Sequence, residues 1–111
     1  MSDSPILKQI DELVHKDDVV LFMKGNKNFP MCGFSATVVQ MLNNLGVDFA
    51  DYNVLENEEL RQGIKDYTQW PTIPQLYIKG EFIGGADITR EMYQSGELQE
   101  LFQQKGITKV A

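Results

Sequence analysis

A chain of 111 residues, 42% hydrophobic and 23% charged, can bury one core and is too apolar to be disordered, so one domain spanning residues 1–111 is expected. Sixteen acidic against ten basic side chains leave a formal charge of −6, which argues against nucleic acid and anionic lipid as main partners. No apolar run approaches the roughly 18 residues needed to span a bilayer, so no membrane span is expected.

The short acidic start Met1–Pro5 resembles neither a secretory signal nor an Arg-rich transit peptide. One cysteine cannot form an internal disulfide, so nothing requires an oxidising compartment. The expected setting is cytoplasmic, with a mature organellar form as the alternative. Ser4-Pro5 reads as N-cap and first helical residue, and Ile6, Leu7, Ile10, Leu13 and Val14 keep a helical period to Lys16. Asp17-Asp18 breaks it, and the apolar run Val19–Met23 follows as a buried strand. His15, the only histidine, falls on a polar face at the end of that first helix. With no second histidine nearby, the sequence supports neither a histidine metal site nor a Cys–His pair.

A second helix spans Gly33–Asn44, with Val38, Val39, Met41, Leu42 and Leu45 apolar and Gly46 as the stop. Val47–Tyr52 alternates apolar and polar, the pattern of a strand. Strand, helix and strand with short connections make a βαβ unit, which implies parallel pairing and a right-handed crossover. A helix over Asn57–Tyr67 carries Leu60, Ile64 and Tyr67 and is stopped by Trp70-Pro71-Thr72-Ile73-Pro74. Strands Gln75–Ile78 and Glu81–Ile83 flank the two-residue turn Lys79-Gly80. After Gly84-Gly85-Ala86, Asp87 is predicted to cap a helix reaching Ser95, and Leu98, Leu101 and Phe102 mark a last short helix beyond Gly96. The order predicts an α/β fold: a four-stranded mixed sheet with helices on both faces, its first two strands parallel and its last two a hairpin.

The chemistry concentrates in Met23–Ser35, between the first strand and the second helix. Pro30 and Gly33 bracket Cys32 in turn-forming sequence, which predicts an exposed bend. The helix starting there directs unpaired N–H groups and a partial positive charge at the sulfur, and Lys24 can add a full charge. A stabilised thiolate is both a nucleophile and a soft metal ligand. Cys32-Gly33-Phe34-Ser35 has the spacing of a C-x-x-C motif, but serine cannot resolve a mixed disulfide, so any disulfide formed at Cys32 needs an external thiol.

Cys32-Gly33-Phe34-Ser35, preceded by Met23-Lys24-Gly25 and followed by Trp70-Pro71-Thr72-Ile73-Pro74 and Gly84-Gly85-Ala86-Asp87, closely resembles the monothiol, CGFS-type glutaredoxins, from about Ile6 to Phe102. The resemblance implies a thioredoxin-like fold, in agreement with the element order, and glutathione lying beside Cys32. Ile73 would pair its main chain with the ligand as an added strand, next to a cis proline at Pro74. Lys24, Arg61 and Lys65 would neutralise the glycine-end carboxylate, the last two sharing one helical face at i, i+4. Gly84-Gly85 would let the backbone approach closely, while the Ala86 and Asp87 N–H groups meet the other carboxylate and Asp87 accepts from the ligand's amino group. Where many relatives carry a second cysteine this chain has Ala86, so no disulfide between that place and Cys32 can form. Trp70 either lines the groove or packs on Pro71; the sequence does not decide.

The resemblance implies a glutathione-dependent carrier of a [2Fe–2S] cluster. Such clusters are held by four thiolates, and this chain supplies only Cys32 as metal ligand. Two subunits and two glutathiones would complete the set, which makes the cluster-bridged homodimer, iron–sulfur acceptors and helper proteins the implied partners. The alternative is a weak monothiol oxidoreductase in which Cys32 removes glutathione from proteins. A third is an adaptor whose thiol is incidental.

Overall fold

All five side chains of the strand Val19–Met23 (β1) are buried, so it lies at the centre of the sheet. The computed structural model describes residues 4–107, and the first three residues of the acidic start lie outside them. Around β1 stand helices α1 (Pro5–Lys16), α2 (Gly33–Asn44), α3 (Glu58–Thr68), α4 (Ala86–Ser95) and α5 (Glu97–Gln104). The remaining strands are β2 (Ala50–Asn53), β3 (Gln75–Ile78) and β4 (Glu81–Gly84), with a 3-10 turn at Val54–Glu56. The sheet order is β2-β1-β3-β4. As expected, β1 and β2 are parallel, with Met23 opposite Asn53, and β3 and β4 form a hairpin. Lys79 and Gly80 both take positive φ, 53° and 82°, as a two-residue turn matched to strand twist requires.

Successive β1 side chains point to opposite faces. Val19, Leu21 and Met23 pack with Val38, Val39 and Leu42 of α2 and Leu98 and Phe102 of α5. Val20 and Phe22 pack with Ile10 and Val14 of α1, Leu60 and Ile64 of α3, and Tyr77. Helices cover both faces, which is why the β1 sequence is continuously apolar rather than alternating. No helix among the described residues is long and apolar enough to cross a membrane. His15 is exposed in the last turn of α1, where its Nδ1–H donates to the Asp11 carbonyl at 2.7 Å.

Two predicted boundaries are corrected. The strand expected at Val47–Tyr52 pairs only over Ala50–Asn53. Val47 and Phe49 are apolar because they are buried against α2, not because they belong to a ladder, and the Val47 N–H closes the end of α2 on the Leu42 carbonyl at 3.2 Å. The cap of α4 is Gly85 rather than Asp87: the Gly85 carbonyl accepts from the Thr89 N–H at 3.0 Å, placing Asp87 inside the first turn, where a carboxylate also suits the helix dipole.

Gly63 marks the crossing of α3 over α1, where a Cβ would lie 2.9 Å from Ile10 Cδ1 and 3.0 Å from Ile6 Cγ1. Gly63→Val should therefore overpack this contact and destabilise the protein by about 2 kcal/mol, a drop of roughly 8 °C in melting temperature. Thermal unfolding followed by circular dichroism checks it; an unchanged melt would mean the two helices can separate freely.

Candidate functional site

The site is assembled where β1 ends and α2 begins. Gly25, at φ 86°, closes the intervening loop: a Cβ there would collide with the Phe29 carbonyl and lie 2.6 Å from the Met31 nitrogen. Asn26 Oδ1 accepts from the Asn28 and Phe29 N–H groups, both at 2.9 Å, forming the turn at the loop's tip. The Met31 N–H returns to the Lys24 carbonyl at 2.9 Å. The chain thereby reaches Cys32, which is extended at φ −152°, ψ 138° and is the N-cap residue of α2.

The thiol is partly exposed, as its turn-forming neighbours predict. The Ser35 backbone N–H has the largest influence on it and holds the thiol below its ordinary pKa; partial burial opposes this, and the Phe34 N–H, the Lys24 charge and the Ser35 hydroxyl lower it further. Ser35 itself is fully buried, and its Oγ accepts from the Lys24 N–H at 3.1 Å, so one hydroxyl joins the residue that follows β1, α2 and the sulfur. A thiol depressed in this way stabilises the fold above its unfolded-state pKa, and that contribution fades as pH falls through the folded value. The rate of iodoacetamide alkylation should therefore half-saturate below the pH typical of a free thiol, and Lys24→Ala should move the midpoint up. A midpoint at or above the ordinary value would contradict this electrostatic account.

A cavity of about 380 Å³ opens beside the start of α2. Phe34 forms one wall, Trp70, Thr72, Ile73 and Pro74 a second, and Gly85 to Ile88 at the start of α4 the third. The Ile73–Pro74 peptide is cis. Gly85 is a point of close approach, since a Cβ would lie 3.3 Å from Trp70 Nε1 and 3.4 Å from the Pro74 carbonyl. The buried Trp70 Nε1–H has no hydrogen-bond partner among the described residues. Trp70 thus lines the cavity, with its ring 5.9 Å from that of Phe82.

Five of the sequence-predicted residues, Ile73, Pro74, Gly85, Ala86 and Asp87, meet in this lining. Cys32 stands just outside it, two residues before Phe34, with Lys24 coupled to it through Ser35. Arg61 and Lys65 lie half-buried on α3 and are not part of the lining. Among the described residues Lys24, Arg61 and Lys65 form no ion pair, whereas Lys27, Lys79, Arg90 and Lys105 each meet a carboxylate. Asp87 is paired with Arg90 at 3.4 Å.

Sequence reasoning missed Gln75, a buried amide whose Nε2 donates to the Trp70 and Thr72 carbonyls at 3.2 and 3.3 Å, while its Oε1 accepts from the Tyr77 hydroxyl at 3.1 Å. It fixes the turn that forms the second wall. The one available signal was a polar side chain at the head of an otherwise apolar strand. Thr72 and the positioning role of Ser35 were missed as well. Among the described residues no three His, Cys, Asp or Glu side chains are grouped to hold a metal ion.

The sequence model of the glutaredoxin family matches residues 19–83. The chain is 63% identical over 98 residues to monothiol glutaredoxin-S14, chloroplastic, of Arabidopsis thaliana, a match covering 87% of this chain and 57% of that protein. It therefore spans little more than half that relative's length. It is 52% identical over 103 residues to probable monothiol glutaredoxin 2 of Rickettsia typhi, covering 93% of each. The solution structure of reduced poplar apo GrxS14 superposes with a TM-score of 0.80 at 57% identity, over 94% of this chain and 96% of that one. With its thioredoxin-like sheet and a lone activated thiol at the head of α2, the chain belongs to the glutaredoxin family, among the monothiol glutaredoxins.

Proposed function

We propose that this glutaredoxin carries a [2Fe–2S] cluster as cargo, held between two copies of the chain by two Cys32 thiolates and the thiolates of two bound glutathiones. The observation that carries the reading is a single activated, accessible thiol with no grouped protein ligands beside it among the described residues. A cluster needs about four thiolates, so three must come from outside this chain.

The cavity suits the tripeptide that would bring one of them. It is flanked by the thiol, has a glycine where a side chain would crowd it, and ends in the unpaired N–H groups at the start of α4. In this reading Ile73 pairs its main chain with the ligand beside Pro74. The Ala86 and Asp87 N–H groups take one carboxylate, and the Asp87 side chain exchanges Arg90 for the ligand's amino group. Lys24, whose charge acts on the thiol, and Arg61 and Lys65 would take the glycine-end carboxylate, as the resemblance to the monothiol glutaredoxins implies. Acceptor and helper proteins for iron–sulfur clusters are the partners, and the setting is cytoplasmic or, as in the relative named chloroplastic, inside an organelle.

The lowered thiol pKa also favours a second reading, a glutathione-dependent oxidoreductase. The Cys32 thiolate would attack the glutathionyl sulfur of a mixed disulfide and expel the protein thiolate; a second glutathione would then reduce the Cys32–glutathione disulfide and leave as oxidised glutathione. Anaerobic reconstitution with iron, sulfide and glutathione, followed by visible absorbance and gel filtration, separates the two. The carrier gives a coloured dimer. A colourless monomer with rapid deglutathionylation turnover would overturn it in favour of the oxidoreductase.

A further inference from the structure

The loop Lys24–Met31 is anchored to β2 by side chains rather than by a backbone ladder. Strand pairing with β2 ends at Met23 opposite Asn53. The chain then doubles back along β2: the Gly25 N–H donates to Asn53 Oδ1 at 3.0 Å and the Lys27 N–H to Asp51 Oδ2 at 2.8 Å. The Lys27 ammonium reaches the Phe49 carbonyl and lies 4.4 Å from the centre of the Phe49 ring. Asp51 and Asn53 are two apart on the strand and so share one face, matching two loop donors that are also two apart. Asn53 Oδ1 additionally accepts from the Leu55 N–H at 2.9 Å, so a single atom ties the loop to the turn that follows β2.

On the other side of Gly25, both backbone groups of Lys24 are held: its N–H by Ser35 Oγ at 3.1 Å and its carbonyl by the Met31 N–H at 2.9 Å. A lysine ammonium rides on four flexible carbons, so where its backbone is fixed decides where its charge can reach. We propose that Asn53, with Asp51 beside it, is a positioning residue that holds Lys24 for the glutathione carboxylate. By this route β2 sets ligand affinity without touching the ligand. The inference rests on the glutathione-binding reading above.

Calorimetric titration of the apo protein with glutathione tests it in wild type, Lys24→Ala, Asn53→Ala, Asn53→Asp and the Lys24→Ala/Asn53→Ala double variant. Losing the anchor should weaken binding about fivefold. Asn53→Asp keeps the acceptor and should restore affinity. Once Lys24 is alanine, Asn53→Ala should cost nothing further, the non-additivity expected of a residue acting through another. Additive losses would overturn the proposal, because Asn53 would then be acting on the fold at large. Asn53→Ala without effect while Lys24→Ala weakens binding would overturn the positioning role alone; Lys24→Ala without effect would overturn the groove assignment with it. If Asn53→Ala does not fold, Asp51→Ala carries the same cycle from the Lys27 anchor. A loss of about twofold that vanishes beside Lys24→Ala supports the role, and an additive or absent loss refutes it.

Discussion

Cys32→Ser should abolish cluster retention while leaving the fold intact. The thiolate is the ligand this chain contributes, and a serine hydroxyl in its place is neither ionised nor soft. Nothing else local can substitute, since Cys32 is the only cysteine and no other metal-binding group forms among the described residues. The fold has little to lose. Cys32 is the N-cap of α2 without a side-chain capping bond, and serine is a favoured cap, which offsets the stability lost with the thiolate, so thermal stability should change little. After anaerobic reconstitution, visible absorbance per chain should fall at least roughly tenfold, with gel filtration showing only monomer. Colour retained in the variant would mean the cargo sits elsewhere.

Gly85→Val should be comparably damaging by a different route, the loss of glutathione binding. The backbone at Gly85, φ −92° and ψ −159°, is open to any residue, so the obstacle is space rather than strain. The Cβ would already press on Trp70 Nε1 at 3.3 Å and on the Pro74 carbonyl at 3.4 Å, and the branched methyls would project into a cavity of about 380 Å³. A ligand held off the start of α4 loses its charge-assisted hydrogen bonds there, which predicts a drop in affinity of roughly 30-fold or more. Trp70, the only tryptophan, lines the same cavity and supplies the fluorescence signal for the titration. Reconstitution should fail in step. Unchanged affinity would place glutathione outside this cavity.

The parts of the molecule legible in the sequence are those governed by local rules. The bounds of β1 and α2, the Lys79-Gly80 turn and the partly exposed position of Cys32 follow from apolar period and from glycine and proline placement. The errors occur where tertiary packing imitates a local pattern: Val47 and Phe49 alternate like a strand because they are buried against α2. Asp87 looks like a cap because a carboxylate is equally at home one turn in. What stayed invisible are side chains working across the fold. Asn53, Ser35 and Gln75 each satisfy backbone groups of another segment, and such bonds leave no periodic mark. Trp70 was undecidable for the same reason, since its place depends on Gly85, fifteen residues on. Arg61 and Lys65 show the converse: sharing a helical face is legible, but reaching the cavity lining is not implied by it.

Native mass spectrometry of the anaerobically reconstituted protein decides whether two chains and two glutathiones share one cluster. One dominant species is expected, with a mass equal to two chains, one [2Fe–2S] unit and two glutathiones, collapsing to bare monomers when the glutathiones are stripped. A cluster bound to a single chain, or a dimer whose mass contains no glutathione, would contradict it.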